Sequence, residues 1–221
     1  GANGTIATTH AANTVVYKAN SFTGWGDSSA SGVGQQLRLW SQANFGDYLL
    51  INPRGGAIYM WVPQYTGANV LLFNTPATLL SSTSSGIYQT DTDCPTVATQ
   101  VMVSDASRFV IAMGANDYGE TTQDPMLIRW SDQESYQTWS PAITNQAGSY
   151  RLSSGSSIVT AIQTRQEIFV LTDAAAYSMQ YLGPPYVWGF NILSNNISII
   201  GPNAIGAANN IVYWMGADKF Y

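Results

Sequence analysis

PMLIRWSDQESYQTWSP, residues 125–141, sets two tryptophans on either side of an acidic polar turn. Met126–Trp130 is apolar and strand-like; Ser131 to Gln137 turns the chain; Trp139 follows. Large flat side chains flanking a tight turn suit the edge of a β-sheet, where they seal one layer against the next. Looser copies of this strand-turn-strand unit precede and follow it. Tyr48–Ile51, the turn Asn52-Pro53-Arg54-Gly55-Gly56 and Ala57–Val62 spell a β-hairpin. Val70–Phe73 predicts a strand, and Asn74–Asp93 a Ser/Thr-rich connection. Val97–Val103 and Phe109–Met113 predict a pair, followed by a polar loop over Gly114–Asp124. Ser156–Gln163, Glu167–Leu171 and Ala176–Tyr181 predict three more strands with short turns, and Gly183–Asn191 an aromatic-lined crossing. Ile197–Ile200, Ala204–Ala208 and Ile211–Met215 close the series.

Apolar strand ends recur at Ile51, Met113, Leu171 and Met215, which lie 62, 58 and 44 residues apart by subtraction. Four-stranded propeller blades take roughly 40–50 residues, and the two wider intervals hold the long polar loops. No apolar stripe of helical period with caps stands out. The expectation is an all-β chain with few or no helices: a β-propeller, or part of one, over residues 37–221. Residues 1–36 read as a Gly/Ser/Thr-rich arm or loop with one short strand at Thr14–Tyr17 and an exposed Trp25. A β-sandwich with long loops fits the same spacing.

Composition narrows function. The 221 residues are 10% charged, against roughly 25% in ordinary soluble domains. With 12% aromatics and 20 glycines, that balance suits turn-rich β structure and a chain packed against copies of itself or other proteins. A net charge of −5 argues against a general nucleic-acid or anionic-membrane binder. Cys94 is the single cysteine, which excludes an intrachain disulfide. No apolar run approaches the roughly 20 residues of a membrane-spanning helix, and the first residues carry no signal-peptide pattern. The start at Gly1 and a strand pair unfinished at Tyr221 lead us to expect a piece of a longer chain.

Candidate chemistry is sparse. His10, the lone histidine, would have to serve any Ser-His-Asp or Cys-His mechanism, and its small-residue surroundings read as an exposed terminus. Zinc needs more Cys and His ligands than one of each supplies. Asp91, Asp93 and the Asn116, Asp117, Glu120, Asp124 loop offer oxygens for calcium without EF-hand spacing, and read as solvated turns. Asp132 and Glu134 would be the carboxylate pair for glycoside hydrolysis. The same turn is a poor match to the structural Asp-box of sialidase propellers: counting back from Thr138-Trp139 puts the box Asp on Glu134 and its glycine on Tyr136. Sialic-acid chemistry would also need arginines to converge from among Arg38, Arg54, Arg108, Arg129, Arg151 and Arg165. Neither Gly24-Trp25-Gly26 nor Gly32-Val33-Gly34 sits between a strand and a helix as a phosphate loop does. The reading assigns no catalytic, cofactor-binding or metal residue and no cofactor.

Several segments carry a resemblance. They are Leu39-Trp40-Ser41 with Asn44-Phe45-Gly46-Asp47, Asn52-Pro53-Arg54-Gly55-Gly56 to Ile58-Tyr59-Met60-Trp61, Val101-Met102-Val103-Ser104-Asp105, and Ile128-Arg129-Trp130-Ser131-Asp132-Gln133-Glu134. Later come Gly155-Ser156, Thr164-Arg165-Gln166-Glu167, Tyr177-Ser178-Met179-Gln180-Tyr181, Gly183-Pro184-Pro185, Asn196-Ile197-Ser198-Ile199-Ile200-Gly201-Pro202-Asn203 and Asp218-Lys219-Phe220-Tyr221. Together, from Leu37 to the C-terminus, the chain resembles virion structural proteins of tailed bacteriophages, of the β-propeller type at the head-to-tail junction or tail nozzle. The resemblance implies a non-enzymatic tail component: a nozzle, adaptor or hub subunit in a ring around the DNA exit channel, assembled in the host bacterial cytoplasm. Its partners would be copies of itself, neighbouring tail and connector proteins, and genomic DNA in passage. A mildly acidic wall would suit that passage, since it does not grip phosphates. The alternative is a carbohydrate- or receptor-binding β-propeller module of the tail, using its aromatic residues as platforms.

Overall fold

The computed structural model describes residues 39–65, 71–72, 76–81 and 90–221. Every regular element among them is a β-strand, and every pairing is antiparallel. The first sheet contains β1 (Trp40–Phe45), β2 (Tyr48–Pro53) and β3 (Tyr59–Trp61). A small hairpin of β4 (Gln64–Tyr65) and β5 (Leu71–Leu72) follows, and β6 (Thr78–Leu79) then completes that sheet. The second sheet runs β7 (Gln100–Val103), β8 (Val110–Met113), β9 (Leu127–Trp130) and β10 (Gly148–Arg151). The third runs β11 (Ile158–Gln163), β12 (Ile168–Thr172), β13 (Ala175–Gly183) and β14 (Val187–Asn195). The fourth pairs β15 (Ile205–Ala208) with β16 (Ile211–Trp214). In each four-stranded sheet the strands lie in chain order, with the β4–β5 hairpin inserted between β3 and β6 of the first, giving an up-and-down meander.

The sheets are layered. In β8, Ile111 and Met113 enter the core shared with the third sheet, while Val110 and Ala112 enter the core shared with the first. In β12, Ile168 and Val170 face the second sheet, while Phe169 and Leu171 face β15 and β16. A strand covered on both faces has no polar side to present, so VIAM and IFVL are unbroken apolar runs. A two-layer sandwich leaves one face of each sheet to solvent. The central strands of the second and third sheets, β8 and β12, are covered on both faces, so these sheets stack in more than two layers.

The two tryptophans of residues 125–141 divide between these layers. Trp130 joins the core between the second and third sheets, and Trp139, fully buried, joins the core between the first and second. Each indole N–H is satisfied by a backbone carbonyl: Trp130 donates to Gln146 at 2.8 Å and Trp139 to Tyr136 at 2.9 Å. The recurring apolar ends fall at one structural position. Ile51, Met113 and Leu171 lie in β2, β8 and β12, and Met215 directly follows β16. All four mark the second strand of a sheet.

Four features depart from the sequence reading. SQAN, in the middle of β1, is too polar to read as a strand, yet it pairs along its length with β2. GSYR forms β10 because Gly148 lies opposite Trp130: a Cβ there would come within 2.8 Å of the indole, and glycine leaves the ring room. The expected crossing over Gly183–Asn191 is instead a turn, with a cis Pro184-Pro185 bond, followed by β14 pairing back on β13. Ile197–Ile200 is not a strand; Ile197 is a buried plug beneath β15 and β16. The β15–β16 hairpin turns on Asn209 and Asn210, both left-handed (φ 52° and 65°), as a two-residue type I′ turn requires. Within the expected strand at Val70–Phe73, Leu71–Leu72 form β5 and residues 70 and 73 lie outside the described residues; the Asn74–Asp93 connection contains β6. The arm over residues 1–36, with Thr14–Tyr17 and Trp25, lies outside the described residues.

Candidate functional site: the cleft between the first strands

The opening strand of each sheet lies against that of its neighbour: β1 against β7, β7 across the interface from β11, and β11 against β15. These are edge strands, with one row of backbone groups unpaired by their own sheet. Polar side chains fill the gaps. Ser41 Oγ accepts the Val101 N–H at 2.9 Å, tying β1 to β7. The Gln100 amide then acts as a surrogate peptide for β11: its Nε2 donates to the Ala161 carbonyl at 2.9 Å and its Oε1 accepts the Ala161 N–H at 2.9 Å. Asn52, wholly buried, donates to the carbonyls of Gly56, Ala57 and Ala98 at 2.9, 3.2 and 3.3 Å, locking the β2–β3 turn onto the segment entering β7. Satisfying these groups matters because a buried unpaired backbone group costs about 1–3 kcal/mol.

Between the first strands is a cleft of about 290 Å³, lined by Trp40, Ser41 and Gln42 of β1, Arg54, Gln100 of β7, Thr160 and Gln163 of β11, and Asn203 ahead of β15. Its lining mixes hydroxyl and amide side chains with the aromatic Trp40 and the aliphatic Leu39, Val101, Met102 and Ile162, and the one charge on it is Arg54. Burial lowers the Arg54 pKa from its ordinary value, since a half-desolvated guanidinium holds its proton less firmly. The wall is thus neutral to cationic. A neighbouring recess of about 240 Å³ shares Gln163 and includes Asp105, Arg165, Asn209 and Asn210. The cleft lining carries no carboxylate and no histidine, so the described wall offers hydrogen bonding and one positive charge, with no acid–base pair.

The residues singled out in the sequence lie elsewhere, mostly as turn fasteners. Asp91 accepts the backbone N–H groups of Trp139, Ser140 and Asp93, and Asp93 accepts the Ser140 hydroxyl at 2.7 Å. Asn116 Oδ1 accepts the N–H groups of Thr96 and Val97, while its Nδ2 donates to the Glu120 carbonyl at 2.7 Å. Asp117 accepts the Tyr118 N–H at 2.8 Å, and Asp124 forms a surface ion pair with Arg151 at 2.6 Å. Among the described residues, no three of His, Cys, Asp and Glu gather closely enough to hold a metal ion. Asp132 Oδ1 accepts the N–H groups of Gln133 and Gln146 at 2.9 and 2.8 Å, so its carboxylate organises the turn. Glu134 is exposed in a left-handed conformation (φ 57°).

The arginines also disperse. Arg108 lies 5.0 Å over the Phe45 ring, Arg151 pairs with Asp124, and Arg165 is exposed. Arg129 is buried: it donates to the Asn116 carbonyl at 3.1 Å and to the Asp93 carbonyl, and lies 4.0 Å over the Tyr118 ring. Burial pushes the Cys94 thiol up to about 12, which makes it an inert core residue. His10, Arg38 and both glycine pairs, Gly24/Gly26 and Gly32/Gly34, fall outside the described residues. The sequence had flagged Arg54 as a turn residue and as one of six arginines, not as the charge of a cleft. No local motif unites the cleft lining, because topology alone brings together positions from 40 to 203. Compared with known proteins, the chain matches no family profile and no curated protein.

Proposed function

We propose that this chain is a structural, non-enzymatic subunit of a bacteriophage tail, built as a β-propeller or part of one and assembling with copies of itself and neighbouring tail proteins around the DNA exit path. The observation that carries the reading is the repeated unit: successive up-and-down sheets, packed face to face, the first three presenting their first strands to the same cleft. That arrangement supports the propeller, which stacks four-stranded meanders radially around an axis. The sequence resemblance to head-to-tail and nozzle proteins supports the place in the particle. Low charge and a row of exposed apolar side chains on β16 and just beyond it, Ile211, Tyr213 and Met215, suit a protein surrounded by protein. Immuno-electron microscopy of purified virions, with antibody raised against this chain, tests the assignment. Gold at the neck or tail tip is expected; virions that stay unlabelled while the antibody recognises the denatured protein count against it.

A further inference from the structure

The cleft holds a charge that nothing on its wall balances. Arg54 is half-buried and its guanidinium has no carboxylate within ion-pairing distance among the described residues, where Arg151–Asp124 is the ion pair found. The whole chain carries a net charge of −5, yet this lining is cationic. Beside it, Trp40 leaves 60% of its surface exposed, and Gln42 and Asn203 offer exposed amides. Gln163, at the cleft's edge, is committed elsewhere: its side-chain nitrogen donates to the Thr164 carbonyl at 2.8 Å and its oxygen is shielded from solvent.

We propose that the cleft binds one monosaccharide unit bearing a carboxylate, a uronic-acid residue of a surface glycan. The guanidinium fork matches a carboxylate in two parallel hydrogen bonds. A single half-desolvated cation balances one negative charge, whereas a phosphate dianion would leave the second charge uncompensated in the cleft. The Trp40 face takes the C–H side of a pyranose ring. The exposed amides of Gln42 and Asn203 match hydroxyls, which both donate and accept. A volume of about 290 Å³ sits at the small end of ligand pockets, room for one sugar ring. This goes beyond the structural role and does not depend on it: a tail subunit lacking the site still assembles.

Saturation-transfer NMR on the full chain, titrated separately with galacturonate, glucuronate, galactose and galactose 6-phosphate, tests the site. At least one uronate should bind about tenfold or more tightly than galactose, the advantage of a charge-assisted pair, and more tightly than the phosphate. Arg54→Gln should erase that preference, and Trp40→Ala, at an exposed position, should weaken the uronate and galactose alike. Arg54→Lys, which keeps the charge without the fork, serves if Arg54→Gln does not fold, and should retain only part of the preference. No transfer to any of the four ligands, uronates no better than galactose, tighter binding of the phosphate, or full preference in the Arg54 variant each overturns the proposal.

Discussion

Gln100→Ala removes one side chain and tests how neighbouring sheets are held at their first strands. Its amide makes two 2.9 Å hydrogen bonds to the backbone of Ala161, a residue 5% exposed. Two such bonds contribute about 1 kcal/mol each, and leaving the buried N–H and C=O of Ala161 unpaired brings the expected loss to about 2–4 kcal/mol. For a chain of this length that corresponds to a fall in Tm of roughly 4–16 °C. Urea denaturation followed by tryptophan fluorescence should show a lower midpoint with an unchanged slope, because the surface exposed on unfolding stays the same. Gln100→Glu is the companion: its carboxylate can accept the Ala161 N–H but faces the Ala161 carbonyl without a donor, so it should destabilise at least as much at pH 7. A loss within about 0.5 kcal/mol for Gln100→Ala, the size of an ordinary surface change, would refute the view that this amide joins β7 to β11.

Arg129→Ala should cost about 3 kcal/mol in the same assay, since two loop carbonyls and the Tyr118 ring lose their buried partner. Arg129→Lys should recover only part of it, because an ammonium cannot span both carbonyls. Cys94 should resist iodoacetamide at pH 8 in the folded protein and react readily in urea; labelling of the native chain at the rate of a free thiol would contradict its burial. Hydrogen bonds from the Ser156 hydroxyl and backbone N–H lower the Asp173 pKa. That stabilisation is present above the unfolded carboxylate value, about 3.9, and is lost as pH falls through the lower folded value. The group is largely exposed, so the effect is under about 1 kcal/mol. Asp173→Asn should flatten the acid side of the stability–pH curve, and an unchanged slope would assign it elsewhere.

Much of the fold was legible because the core strands announce themselves. VIAM and IFVL are apolar on both faces, and the two tryptophans of residues 125–141 seal layers as expected of large flat side chains beside a turn, although their placement in two different cores was not readable. The strands that escaped notice are those whose environment relaxes the pattern. β1 lies along a polar cleft, β10 needs a glycine beneath an indole, and the outer half of β14 is exposed. Asn209-Asn210 was a readable hairpin signal. The cleft was not legible at all. Ser41, Gln100 and Asn203 are unremarkable polar residues until the topology places three first strands and the segment ahead of a fourth together, whereas the conspicuous carboxylates spend their oxygens on fastening turns, Asp91 and Asp132 on backbone N–H groups and Asp93 on the Ser140 hydroxyl.

Quantitative mass spectrometry of purified virions, comparing peptides of this chain with the major capsid protein, addresses the tail assignment most directly. The account predicts a fixed copy number characteristic of a small closed ring, about a dozen or fewer per particle. Absence from clean virions, or a variable trace that falls with each purification step, would contradict it.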